Sequence, residues 1–213
     1  MTRLVLIRHG HSMANLKRNF AGHTDAELSP IGEEQVKKTA QYVMENYKVD
    51  KIYASDLKRA YNTGKAIGDL CGIDVIPDAN LREIYAGEWE GHAFDYLSET
   101  FCEDYGCWKT DIGNACCTGG ESVQELAKRI HTELIKLAEE NEGKTVVVAT
   151  HATPIRCIQC LWQGMTFDQM KDIPWATNAS VTEAVYENGK FEFVCLSKDE
   201  HLSDIATKVP KNV

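Results

Sequence analysis

Arg8, His9, Gly10 and His11 follow directly on the apolar residues 4–7 in RLVLIRHGHS. A loop there needs only polarity, which Ser, Asn or Asp would supply. An arginine and two histidines offer more. A neutral imidazole can attack phosphorus and, once protonated, donate a hydrogen bond. A guanidinium binds phosphoryl or carboxylate oxygens through paired donors. Three further segments carry matching residue types: Arg59 in YASDLKRAYNTG, His151 in VVVATHATPIR, and Glu83, Glu88 and Glu90 in LREIYAGEWEG. A nucleophile, cations for the oxygens and a carboxylic acid for a leaving alcohol together suit phosphoryl transfer. Each residue alone has an ordinary explanation, since arginines often form surface ion pairs and histidines often cap backbone. His11, His23, His92, His131 and His201 are read in that ordinary way, with His11 and His23 near the rim of any pocket. Glu88 and Glu90 are likewise read as ordinary charged residues.

These residues are far apart in sequence, so the elements between them must bring them together. Residues 4–7 read as a strand. LSPIGEEQVKKTAQYVMENY reads as a helix, capped by Ser29 with Pro30 at its first position and apolar residues at helical spacing. DKIYAS is a second strand. SDLKRAYNTGKAIGDLCG is a second helix, with Ser55 as its expected cap, Arg59 in its first turn and an end near Gly72. IDVIP is a third strand. Residues 85–118, rich in aromatics, Cys and Gly, show no clean period and read as a partly helical insertion. GGESVQELAKRIHTELIKLAEEN restores a helix through a capping box of Ser122 and Glu125. KTVVVAT is apolar throughout, hence a central strand covered on both faces. TPIRCIQCLWQG is a helix expected to start at Thr153 and Pro154. ASVTEAVYENGKFEFVCLS is a hairpin turning at Asn188 and Gly189. KDEHLSDIATKVPKNV reads as a polar surface tail.

Repeated β-α units closing on a hairpin imply an α/β domain, with a mostly parallel sheet and helices on both faces. In such sheets ligands bind beyond the carboxyl ends of the strands. Arg8, His9, Arg59 and His151 all stand at such ends, and the helix starts at Ser55 and Thr153 would add backbone N–H groups for an anion.

The chain has 213 residues, 43% hydrophobic and 26% charged, with a formal net charge of −9. That length suits one domain. The acidic balance argues against general nucleic-acid binding, which wants a basic surface. It permits a small anionic substrate held by a few arginines. No run approaches the ~18 apolar residues of a membrane span, and no signal-peptide pattern opens the chain. The expectation is a cytoplasmic protein that binds neither membrane nor nucleic acid. The eight cysteines (71, 102, 107, 116, 117, 157, 160 and 195) are expected as reduced thiols. Cys157 and Cys160 fall within one turn of a buried helix rather than at a zinc knuckle, so no metal is expected.

LIRHGHSMAN resembles the R-H-G signature of the histidine phosphatase superfamily, also called the phosphoglycerate mutase-like family. GHTDAELSPIGEEQ, YASDLKRAYNTG, LREIYAGEWEG, GGES and VVVATHATPIR resemble its further blocks, in the family's order, from residue 3 to about residue 156. The resemblance implies a three-layer α/β/α fold, phosphoglycerate mutase-like, forming a single domain over residues 1–213, with residues 85–118 as a lid-like insertion that selects substrates. It implies that His9 is the nucleophile that becomes phosphohistidine and that Glu83 is the acid/base. Arg8, Arg59 and a protonated His151 would hold the phosphoryl oxygens. Ser12, Asn15, Gly22 and Ala152 would line the substrate pocket. Neither a metal nor another cofactor is implied, because the arginines do the electrostatic work. The family often has Glu or Gln at the place of His11 and Gly at the place of Ala152, where a methyl narrows the pocket.

The expected activity is hydrolysis of a small phosphomonoester from a phosphorylated metabolite. A phosphoglycerate mutase-type isomerase is the alternative, although such enzymes typically show Glu and Trp at the places of His11 and Ala14 and carry a longer insertion. A non-catalytic module binding phosphorylated ligands is a third reading, and it would require a lost catalytic residue. The sequence names no substrate and leaves oligomeric state open, a homodimer included.

Overall fold

Two sets of apolar residues alternate along the strands, and each set meets its own layer of helices. The computed structural model describes residues 1–207. Its strands are β1 (Thr2–Arg8), β2 (Lys51–Ala54), β3 (Val75–Pro77), β4 (Thr145–Thr150), β5 (Val181–Glu187) and β6 (Lys190–Lys198). Its α-helices are α1 (Met13–Lys17), α2 (Pro30–Asn46), α3 (Lys58–Cys71), α4 (Phe94–Thr100), α5 (Cys102–Thr110), α6 (Val123–Glu140) and α7 (Ala152–Trp162). The six strands form one sheet in the order β3-β2-β4-β1-β5-β6. β3, β2, β4 and β1 run parallel, and β5 pairs antiparallel to β1 and to β6.

Leu4 and Leu6 of β1 with Val146 and Val148 of β4 pack on one face, against Leu126, Ile130 and Leu134 of α6 and Ile158 of α7. Val5, Ile7, Val147 and Ile52 pack on the other face, against Ala40 and Val43 of α2 and Ile67 of α3. Strands covered on both sides must be apolar throughout, as β1 and β4 are. The expected three-layer α/β arrangement with a mostly parallel sheet is therefore present. Ser29 caps α2 by accepting from the Gly32 N–H at 3.2 Å, and Pro30 opens the helix. Ser122 and Glu125 form the capping box of α6. Asn188 and Gly189 turn the β5–β6 hairpin, both at positive φ.

Three local expectations are corrected. Ser55 does not cap α3, which starts at Lys58 after Leu57 with no side-chain cap; its hydroxyl is bonded to a histidine instead, as described below. α7 starts at Ala152, one residue before Thr153, with His151 at the cap position. The C-terminal segment is more than a surface tail. A 3₁₀ turn at Glu200–Ile205 buries Leu202, and the Gln35 side chain of α2 donates to the Ile205 carbonyl at 2.8 Å. Its polar composition concealed a single buried leucine and a docked backbone. The last residues of that segment, 208–213, lie outside the described residues. The insertion is partly helical as expected, through α4, α5 and short 3₁₀ turns at Gly87–Trp89 and Ile112–Asn114.

Candidate active site

Strand register assembles the site. In the parallel pairing of β1 with β4, Arg8 stands beside Thr150, so the next residues, His9 and His151, emerge together. The His9 N–H continues the ladder to the Thr150 carbonyl at 2.9 Å. In the pairing of β2 with β4, Ala54 stands beside Ala149, which brings Ser55 to the same edge. Gly10 then passes so close to α2 that a Cβ there would lie 2.7 Å from the Gly32 carbonyl oxygen. Only glycine allows β1 to end there and His9 to turn into the site.

His9 is 4% exposed. Its Nδ1 lies 2.7 Å from the Gly10 carbonyl. A carbonyl can only accept, so Nδ1 carries the proton and Nε2 keeps its lone pair. Burial first, then the charges of Arg59 and Arg8, drives the His9 pKa well below its ordinary value. The imidazole is therefore neutral.

Arg8 and Arg59 are both buried. Arg8 donates to the Ala176 carbonyl. Arg59 donates to the carbonyls of Thr24 and Gly22, each at 2.8 Å. Burial pushes both guanidiniums down to about 10, with the charge of Glu83 acting in the opposite sense. Both remain cations at neutral pH, and the Nε of each has no acceptor among the described residues.

His151 is fully buried and does not line the cavity. It packs edge-on to His9, with ring centroids 5.1 Å apart. Its Nε2 is 2.8 Å from Ser55 Oγ, which also accepts from the Leu57 N–H at 3.3 Å. The Ser55 hydroxyl hydrogen is used by Nε2 only when the His151 proton is on Nδ1. Nδ1 too lacks an acceptor. Burial, then Arg59 and His9, holds His151 well below its ordinary pKa. In the unliganded site the neutral ring is therefore favoured. Buried donors are normally satisfied. Three nitrogens without a partner among the described residues, Arg8 Nε, Arg59 Nε and His151 Nδ1, belong to residues grouped about the neutral His9 ring.

Glu83 lines the cavity with Arg8, His9 and Arg59. Its Oε1 accepts from the Ile84 N–H at 2.9 Å, and its Oε2 lies 3.4 Å from the Thr153 N–H at the start of α7. Its carbonyl accepts from His23 Nε2 at 2.9 Å and from Arg129 at 3.1 Å. Arg129, on α6, is held by Glu121 through two donors. Glu88 is exposed. Glu90 is structural: its Oε1 accepts from the His23 and Ala86 N–H groups.

Ser12, Asn15, Gly22 and Ala152 line the same cavity. Ser12 caps α1 and is bonded to Asn15 in a capping box, so its hydroxyl faces that partner. Gly22 has φ +49°, and a Cβ there would lie 2.7 Å from the Ala86 Cβ. Ala152 has ordinary helical backbone as the first residue of α7, so its methyl is accommodated. His11 sits at the rim with Nδ1 2.8 Å from Ser29 Oγ.

Sequence reasoning missed Phe20, Trp108, Trp175, Asn178 and Thr207, all of which line the cavity. Asn178 donates to the His9 carbonyl at 3.1 Å and accepts from Thr207 Oγ1 at 3.2 Å. It lies in an irregular segment before β5, where no periodicity marks it. Arg129 was missed as well; it stands on the polar side of an otherwise ordinary helix. Among the described residues, no group of three or more His, Cys, Asp or Glu is placed to hold a metal ion, and no helix is long and apolar enough to cross a membrane. Cys157 and Cys160 are buried within α7, and all eight cysteines are free.

The profile of the histidine phosphatase superfamily (branch 1) matches residues 4–199. Phosphoglycerate mutase-like protein 4 of Arabidopsis thaliana is 33% identical over 159 residues, 73% of this chain and 68% of that one. Phosphoserine phosphatase 1 of Hydrogenobacter thermophilus is 28% identical over 216 residues, 100% of both chains. The phosphoserine phosphatase of Entamoeba histolytica, solved with phosphoserine and with 3-phosphoglyceric acid, superposes with a TM-score of 0.83 at 29% identity. That match covers 95% of this chain and 100% of the other.

Proposed function

Because this chain belongs to the histidine phosphatase superfamily (branch 1), we propose that it is a phosphatase that hydrolyses a small phosphomonoester through a phosphohistidine on His9. The observation that carries this reading is the pair of buried guanidiniums, Arg8 and Arg59, each with an unpaired Nε, lining one cavity with a neutral imidazole whose Nε2 is free. We read residues 1–213 as one such domain.

His9 Nε2 attacks phosphorus in line as the ester P–O bond breaks, and Glu83 gives its proton to the departing alkoxide. Water then attacks the phosphohistidine and loses a proton to Glu83. The P–N bond breaks, and inorganic phosphate and neutral His9 return. Arg8 and Arg59, which line the cavity, supply fixed donors to the equatorial oxygens, where preorganised charge contributes most, and His151 packs edge-on against the His9 ring. Asn178 holds the His9 carbonyl. Asn15 Oδ1 is engaged by Ser12, which leaves its amide nitrogen as a donor toward the ester.

Phosphoserine phosphatases among the relatives support hydrolysis. The mutase alternative needs water kept from the phosphohistidine while a sugar acid reorients. Two assays run together distinguish them. With 3-phosphoglycerate and a bisphosphoglycerate primer, free phosphate should form faster than 2-phosphoglycerate. Isomer forming many times faster than phosphate would replace this reading with the mutase.

A further inference from the structure

Taking the phosphatase reading as its basis, we infer that the preferred substrate carries a planar ring a few bonds beyond the ester oxygen. The cavity, about 300 Å³ in volume, is lined by four aromatic residues, Phe20, Phe94, Trp108 and Trp175, together with Arg18 and Asn19. These four rings come from four separate segments: the turn after α1, α4, α5, and the loop between α7 and β5. Phe20 meets Trp108 edge-on at 5.1 Å between centroids, and Trp108 stacks loosely on Trp175 at 6.4 Å. Phe94 and Trp175 are only half-buried. They keep surface toward the cavity, whereas rings serving only as core would be covered.

Trp175 is fixed from behind. The Arg156 guanidinium lies over its ring, 4.2 Å from the centroid, and also donates to the Lys171 carbonyl at 3.0 Å. Arg156 is 6% exposed, so little water competes for this cation–π contact. One face of Trp175 is thus occupied. The half-buried Trp175 ring is thereby ordered before a ligand arrives, and little rotamer entropy is lost where its exposed surface meets one. Charge points the same way. Glu83 is the one carboxylate among the described lining residues, and the mechanism reserves it for the leaving oxygen. The α-ammonium of an amino-acid ester would find no second carboxylate there. An apolar ring would meet the half-buried rings of Phe94 and Trp175, with Phe20 and Trp108 buried beside them, and aromatic side chains are the usual neighbours of such a ligand.

The test compares kcat/KM for 2-phenylethyl phosphate, propyl phosphate and phosphoserine. All three are primary alkyl esters, so leaving-group chemistry is similar and the ratios report the ring. We expect 2-phenylethyl phosphate to lead both others by at least about tenfold, from burial of one ring. In Trp175→Leu that lead should shrink several-fold, and Trp175→Phe should restore most of it. A wild-type ratio near one, a lead for phosphoserine, or an unchanged ratio in a folded Trp175→Leu overturns the inference. Should that variant fail to fold, Phe94→Leu and the wild-type ratio decide. Failure of the underlying reading looks different: no His9-dependent phosphate release from any of the three, in which case both fall.

Discussion

Ser55 and His151 are 96 residues apart in sequence, yet Ser55 Oγ and His151 Nε2 are 2.8 Å apart, both fully buried. Strand register creates this pair, and the pair holds the His151 ring that packs edge-on against His9. Ser55→Ala should leave Nε2 buried and unsatisfied, costing about 1–3 kcal/mol of stability. It should also release the His151 ring that positions His9, lowering kcat by about tenfold or more. Ser55→Thr, which keeps the hydroxyl, should recover most of the rate. Melting curves and steady-state kinetics on the three proteins check this; wild-type kcat in Ser55→Ala would deny the pair any part in catalysis.

Glu83→Gln should discriminate between leaving groups. An alkyl phosphate needs a proton on its departing oxygen, and an activated aryl phosphate departs without one, so the first should lose about a hundredfold or more and the second far less. Pre-steady-state release of the alcohol or phenol, which precedes hydrolysis of the phosphohistidine, reads the difference on both esters. Equal losses would show that Glu83 is not the general acid.

Stability should fall on the acid side. His9 and His151 are both held well below their ordinary pKa, by burial first and then by neighbouring cations. The unfolded chain takes up these protons near pH ~6.5, the native chain only at lower pH, so between those values the unfolded state binds more protons. The contribution of the neutral rings is complete above that ordinary value and is lost as pH falls toward the native ones. Thermal melts from about pH 7.5 to 5 should show a declining Tm, with a shallower decline in His9→Gln. An identical slope in that variant would mean that His9 titrates normally.

Much of the site was legible because its parts sit at strand ends, and strand ends can be read. Arg8, His9 and His151 follow apolar runs that could only be β1 and β4, and Arg59 falls in the first turn after β2. Ser55 was misread for a physical reason. A serine before a helix commonly caps it, but here a buried histidine claims the hydroxyl, and nothing local in the sequence reveals a contact made across the sheet. Trp175, Asn178 and Thr207 were illegible for another reason. They lie in segments without periodicity, where position is set by tertiary packing alone. The neutral state of His151 could not be read either, since it follows from complete burial beside Arg59.

The central claim is that phosphorus is transferred to His9. Enzyme mixed with a labelled phosphomonoester and quenched in alkali within the turnover time should retain phosphate that survives alkali and is lost in acid. Digestion should map it to the peptide containing His9. His9→Ala should retain none and release no phosphate while keeping the wild-type circular dichroism spectrum. Label on another residue, or full turnover by a folded His9→Ala, would contradict the account.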